Sequence, residues 1–321
     1  MPLSFAKCSV CQPVYMHEGS RRAIIAAFLA NLGIALAKFT GFLITRSAGL
    51  LAESAHSLAD TGNQALLMLG SHKAQHPADS AHPFGYGPER YFWAFVVSLV
   101  LFSMGGLFAL YEGIDKLRHP HELDHAIVAF VILGISMALE SYSLRTAVKE
   151  ANHVRKPGEG WFAFIRRSKA PELPVVLLED VGAEIGLVFA LIGLTLAVIT
   201  GDPRWDALGS IAIGLLLVVI AIVLAREMKP LLIGESAAPA DLDKINSAIE
   251  SSEKVNSIIH LRTMHLGPDD LLLATKVDYD HSLSVAELAH AIDETEIAVR
   301  AAVPKATTIF IEPDIRRTRE T

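Results

Sequence analysis

Leu51-Ala-Glu-Ser-Ala-His56-Ser-Leu-Ala-Asp60-Thr-Gly-Asn-Gln64 interrupts an apolar run that starts at Leu50 and resumes as Ala65-Leu-Leu-Met-Leu-Gly70. His56 and Asp60 are four residues apart, so a helix places them on one face, one turn from each other. An ionisable side chain at membrane depth costs at least about 2.5–3.5 kcal/mol, so it marks a functional site by default. An imidazole and a carboxylate aimed at one point suit a borderline divalent cation such as zinc. The plainer reading is a polar pair that glues two helices together. The metal reading is preferred because a matching acidic stretch occurs later in the chain.

Working outward, six apolar segments cover roughly residues 23–44, 50–70, 92–114, 126–146, 175–200 and 207–224. Each has about the 20 residues needed to cross a bilayer core. The second is the least apolar because it carries Glu53, His56, Asp60, Asn63 and Gln64. A helix that polar must face a bundle interior or a water-filled cavity. Composition agrees: 51% of the 321 residues are hydrophobic and 20% are charged, against about 25% charged in soluble domains. A net charge of −7 gives no basis for nucleic-acid binding. Cys8 and Cys11 are too few for a disulfide framework.

Loop charges set the expected orientation. With the N-terminus inside, the cytoplasmic loops hold most of the Lys and Arg, including Arg145, Lys149, Arg155, Lys156, Arg166, Arg167 and Lys169. The outer loops hold Arg46, Lys116, Arg118 and Arg204. The positive-inside rule then places both termini in the cytoplasm, in the inner membrane if the cell is bacterial. The connection 154–171 is basic, with an amphipathic piece around Trp161 to Ile165. Residues 1–20 read as a cytoplasmic tail whose Cys8-x-x-Cys11, with His17, makes half a zinc site.

Residues 21–228 therefore form the expected membrane part, and 229–321 read as a soluble domain. In the latter, 240–251 and 285–303 have helical apolar spacing. Residues 258–265, 271–280 and 307–311 read as strands, the first two split by the turn Gly267-Pro268-Asp269-Asp270. The order αββαβ predicts a small α+β domain.

The fifth segment opens Val175-Val-Leu-Leu-Glu179-Asp180-Val-Gly-Ala-Glu184. Asp180 and Glu184 share a helical face, with Glu179 about 100° away. Three ionised carboxylates there repel unless a cation or a proton intervenes. His56, Asp60, Asp180 and Glu184 thus make one candidate metal site between helices two and five, with Glu179 a further candidate.

The chain resembles the cation diffusion facilitator family of zinc-transporter-like proteins. The resemblance rests on His56-Ser-Leu-Ala-Asp60, His82-Pro-Phe-Gly-Tyr86-Gly-Pro-Glu89-Arg90, Asp180, Trp205-Asp206-Ala-Leu-Gly-Ser210-Ile-Ala-Ile-Gly214 and Leu231-Leu-Ile-Gly234-Glu235-Ser236, in that order. It implies a membrane all-α six-helix bundle with a cytoplasmic ferredoxin-like C-terminal domain, paired as a homodimer in the lipid bilayer. It also implies a transporter, not an enzyme, that exports a divalent metal in exchange for protons by alternating access. Many relatives of this kind carry a further His or Asp one turn before Asp180, where this chain has Val176, which leaves Glu179, Glu184 or a water as the substitute. That Glu-Asp pair marks a divergent branch. An oxygen-rich site widens the cargo from zinc to manganese, iron or cobalt.

The resemblance also implies a loop site at Asp79 and His82, with Tyr86 where a His is common. The usual histidine positions of the C-terminal domain are occupied by Ile259, Thr275 and Ile311, so no metal cluster is expected there. Lys38 is expected to snorkel, Asn31 to pack, and Glu140 to serve a pathway or bind helices together. Three other functions remain open: a metal sensor without transport, a monovalent cation/proton antiporter, and a membrane hydrolase using metal-bound water.

Overall fold

The computed structural model describes residues 18–120 and 126–317. Cys8, Cys11 and His17 lie outside the described residues. Six long helices form the first part: α1 (Glu18–Thr45), α2 (Ala48–Lys73), α3 (Glu89–Arg118), α4 (Ala126–Val154), α6 (Glu172–Thr200) and α7 (Arg204–Ile233). A short helix, α5 (Trp161–Arg167), joins α4 to α6. Four of the six, α3, α4, α6 and α7, are long and apolar enough to cross a membrane. The charged and polar residues expected in α2 lower its hydropathy, and the described apolar part of α1 is Asn31–Thr45. The helices overrun their apolar segments at one end or both, by up to nine residues at Ile233, because helical hydrogen bonding continues into the polar flank.

The helix ends follow local rules. Arg46 turns the chain between α1 and α2 with φ 58°, and the Ser47 hydroxyl caps α2 by accepting from the Leu50 amide. Gly201 ends α6 at φ 70°, a conformation that a side chain would strain. Asp202 Oδ1 accepts from the Arg204 amide at 3.0 Å and starts α7. Helices α6 and α7 pack closely, since a Cβ on Gly193 would sit 3.2 Å from the Gly209 Cα. In α3, residues Leu101–Leu107 form a π-helical segment beside α7. Leu50, Tyr91, Val97, Leu133, Leu187, Leu194, Ile213 and Leu217 belong to one buried cluster between the helices.

The second part has the expected αββαβ order: α8 (Pro239–Glu250), β1 (Val255–Gly267), β2 (Asp270–Tyr279), α9 (Val285–Ala302) and β3 (Thr308–Pro313). The sheet order is β1-β2-β3, with β1 antiparallel and β3 parallel to β2. Ser284 and Glu287 form a capping box that fixes the start of α9. Leu271, Leu273, Val277 and Ile309 bury one sheet face with Ile245, Ile249 and Val299 of the helices. This part meets the helices at the α2–α3 loop, where Gly87 lies against the Leu266 carbonyl and Gly267.

Asp206 lies in the first turn of α7 and also reaches a neighbouring helix. Its Oδ1 accepts from the Ser47 hydroxyl at 2.8 Å, and its Oδ2 accepts from the Ala48 amide at 2.6 Å. It is buried, so it ties the start of α7 to the start of α2. Asp206→Ala orphans both donors and is expected to lower unfolding free energy by about 1–3 kcal/mol, with Asp206→Asn milder. Detergent-titration unfolding measures this, and an unshifted midpoint removes the tie.

Candidate metal centre

Helix α2 delivers its polar residues inward because its outer face carries Leu58, Met68 and Leu69. Asp60 and Gln64, one turn apart, face a small cavity. Helix α6 brings Glu179 and Asp180 to that cavity, α4 brings Glu140, and α1 brings Asn31. Four carboxylates from three helices therefore surround one enclosed space. Carboxylate and carboxamide oxygens are the donor types that hard cations take.

Two of the four carboxylates accept a hydrogen bond from a neighbouring side chain. The Asn63 amide donates to Glu179 Oε1 at 2.6 Å, and the Ser143 hydroxyl donates to Asp180 Oδ2 at 3.0 Å. One oxygen of Asp60, Oδ1, is buried with no hydrogen-bond partner. His56 stands behind it, fully buried, with Nδ1 at 3.5 Å from that oxygen. Both ring nitrogens of His56 lack hydrogen-bond partners. A buried imidazole left unpaired in this way is costly unless a ligand completes it.

The sequence-based candidates are thus brought together in part. Asp60, Glu179 and Asp180 share the cavity, and His56 touches it only through Asp60. Glu184 does not line it; its Oε1 accepts from the Ser141 hydroxyl of α4 at 2.8 Å. Among the described residues, no three His, Cys, Asp or Glu side chains stand close enough to hold one ion. Asn31 and Gln64 line the cavity, although Asn31 was expected only to pack.

Lys38 departs further from expectation. It does not snorkel to an aqueous surface but is fully buried. Its ammonium donates to Glu53 Oε2 at 3.1 Å and to Ser57 Oγ at 2.8 Å, and lies 3.7 Å from Glu140 Oε1. The signal for Glu140 was available, since it is the one acidic residue in the fourth apolar segment. Its role was not legible because the partner lies on another helix.

The loop candidates lie outside the bundle. Asp79 Oδ1 accepts from the Ala81 and His82 amides at 2.8 and 2.7 Å, and Oδ2 accepts from the Tyr86 hydroxyl at 2.7 Å. The His82 ring packs on the Tyr86 ring with centroids 4.3 Å apart. The Tyr86 hydroxyl, then the His82 amide, holds the Asp79 carboxyl below its ordinary range. Asp79 therefore folds the loop that carries Gly87. In the C-terminal part, His265 is buried with Nδ1 at 3.3 Å from the Gly267 carbonyl.

A model of the cation efflux transmembrane domain matches residues 24–233. The proton-coupled zinc antiporter SLC30A9, mitochondrial, of Mus musculus is 31% identical over 264 residues, which are 82% of this chain and 47% of that protein. Metal tolerance protein C4 of Arabidopsis thaliana is 28% identical over 269 residues, 84% of this chain and 59% of that one. Magnetosome protein MamM of Paramagnetospirillum magneticum is 27% identical over 269 residues, 81% of this chain and 76% of that one. The chain spans about half the length of the zinc antiporter. With four helices apolar and long enough to cross a bilayer, it is a multi-pass membrane protein.

The lowered Asp79 value sets a pH dependence. Its stabilisation of the loop is complete above the unfolded carboxyl value and fades as pH falls through the depressed folded value. Hydrogen-exchange protection of residues 79–88 is expected to drop over that window. In Tyr86→Phe the drop begins at higher pH. An identical pH profile in Tyr86→Phe removes the phenol from this role.

Proposed function

The chain belongs to the cation diffusion facilitator family, and on that premise we propose that it exports a divalent transition metal from the cytoplasm in exchange for protons. One observation carries the reading: carboxylates of α2, α4 and α6 enclose a single cavity within the helices of a cation efflux domain. The relative named as a proton-coupled zinc antiporter supports zinc as cargo, as does the imidazole of His56. The oxygen-rich lining extends the range to manganese, iron and cobalt.

In this reading Asp60 and Asp180 are the principal ligands. Glu179 contributes an oxygen, and His56 joins when α2 moves relative to α6. Glu184 carries protons or serves the path, since it faces α4. Carboxylates and imidazole hold either a metal or protons, which is what an exchanger requires. Rocking of the helices then exposes the loaded cavity to the opposite side. All six long helices span the bilayer, with both termini in the cytoplasm. Residues 1–20 are the tail, 21–228 the membrane domain and 229–321 the C-terminal domain.

The C-terminal domain is proposed as ferredoxin-like and as the dimer contact. Its helices cover one sheet face. The alternation places Arg262, Met264, Leu272, Ala274 and Phe310 on the other, in register across the three strands. Phe310 is 55% exposed, a large aromatic on a face without a covering element in the chain. A second copy presenting the same face satisfies it by two-fold symmetry.

Two measurements test this. Asp60→Ala and Asp180→Ala are each expected to abolish metal-driven proton flux in proteoliposomes; undiminished flux in either rejects the ligand assignment. Phe310→Glu is expected to halve the protein mass in detergent measured by light scattering after subtraction of the micelle. A wild-type mass equal to one chain removes the dimer.

A further inference from the structure

Three features of one small region are not used by the reading above. A lysine is fully buried within the helix bundle. It has three oxygen partners, from α2 and α4, at unequal distances. The most distant of them, Glu140, also lines the carboxylate cavity.

The inequality matters. Lys38 is hydrogen-bonded and neutralised by Glu53 at 3.1 Å and further satisfied by Ser57 at 2.8 Å. Glu53 is fully buried and does not line the cavity. At 3.7 Å the Glu140 contact is an ion pair without a hydrogen bond. Glu140 can therefore turn away without leaving the ammonium orphaned. The opposite does not hold: without Lys38, Glu53 and Glu140 lose the positive charge that both face. Glu140 thus stands between a cation fixed in the chain and any cation in the cavity.

We infer that Glu140 is an exchangeable ligand, shared between the Lys38 ammonium and the transported metal, so that Lys38 acts as a built-in competitor for the cargo. When the metal enters beside Asp60 and Asp180, Glu140, which lines the same cavity, turns to it. When the metal leaves, Lys38 draws Glu140 back. No covalent step is involved. Lys38 is a positioning residue, and it acts on the metal through Glu140. This inference rests on the proposed metal transport.

The test is a double-mutant cycle on the full-length protein in detergent, with zinc affinity measured by competition against a fluorescent chelator. Lys38→Met removes the competitor and is expected to tighten zinc on the order of tenfold. It also slows turnover in proteoliposomes, because release no longer has a replacement cation. Lys38→Arg, which keeps the charge, restores near-wild-type affinity. Glu140→Gln is expected to weaken zinc on the order of tenfold or more. The double variant Lys38→Met/Glu140→Gln binds zinc like Glu140→Gln alone, because the lysine acts through that carboxylate.

Additive single effects overturn the proposal, as does unchanged zinc affinity in folded Lys38→Met. If Lys38→Met does not fold, Lys38→Met/Glu53→Gln removes a neutral pair and takes its place. Tighter zinc in that variant supports the proposal, and wild-type affinity overturns it. A wild-type protein that binds no divalent metal at all defeats the proposed function instead, so the two failures are distinct.

Discussion

A carboxylate inside a helix bundle surrounded by hydrocarbon needs a cation, a proton or a set of donors beside it. Five of the acidic side chains between these helices, Glu53, Asp60, Glu140, Glu179 and Asp180, meet that requirement in different ways. Glu53 has a lysine, while Glu179 and Asp180 have one neutral donor each. One oxygen of Asp60 has no hydrogen-bond partner. A single amide or hydroxyl is far weaker compensation than an opposite charge at the same distance. Asp60, Glu179 and Asp180 therefore lack the close cation that Glu53 has at Oε2, while Glu53 Oε1, like Asp60 Oδ1, is buried with no hydrogen-bond partner.

The surrounding structure is arranged to bear this strain. Breaking a buried ion pair costs about 3–5 kcal/mol, so Lys38–Glu53 fastens α1 to α2 beside the cavity. At the start of α2, Asp206 gives a second tie, to α7. Close packing of Gly193 on Gly209 keeps α6 against α7. Helix α2 is thus held in its N-terminal part, to α7 at Ser47 and Ala48 and to α1 at Glu53, ahead of Asp60 and Gln64, which face the cavity.

Much of this was legible in the sequence. Apolar runs gave the six long helices to within a few residues in the interior and up to nine at the ends, as at Ile233, because hydrophobicity stops before helical hydrogen bonding does. The spacings His56/Asp60 and Asp180/Glu184 pointed to two of the four helices that line the cavity. Period-two alternation and the Gly267-Pro268 turn gave the αββαβ order. What stayed hidden depends on rotation about helix axes. Glu184 shares a helical face with Asp180, yet it turns to Ser141, because α4 packs along that side of α6. Lys38 reads equally well as a snorkelling or a buried residue until Glu53 is seen opposite it. A one-dimensional pattern specifies a face, and only packing specifies which neighbour the face meets.

The junction between the two parts follows from magnitudes. Arg90, at the start of α3, contacts Glu172 in the first turn of α6 at 2.5 Å and Asp269 of the β1–β2 turn at 3.7 Å. Asp269 is 96% exposed, so its pair with Arg90 is screened and worth little. The Glu172 contact is closer and better shielded, and it sets the start of α6, two turns before Glu179 and Asp180. What seats the sheet on the helices is backbone packing: Gly87 lies against the Leu266 carbonyl, where a side chain has no room. Lys169 adds a shielded pair with Glu235 at 2.6 Å, close to the end of α7. The Glu235 carbonyl in turn accepts from the His265 amide at 2.9 Å. Displacement of the sheet relative to the helices must therefore act on the α2–α3 loop and on the end of α7. Those are the terminal segments of the helices that hold the cavity and its support, so the two parts are mechanically joined there without a charged residue of the sheet reaching the site.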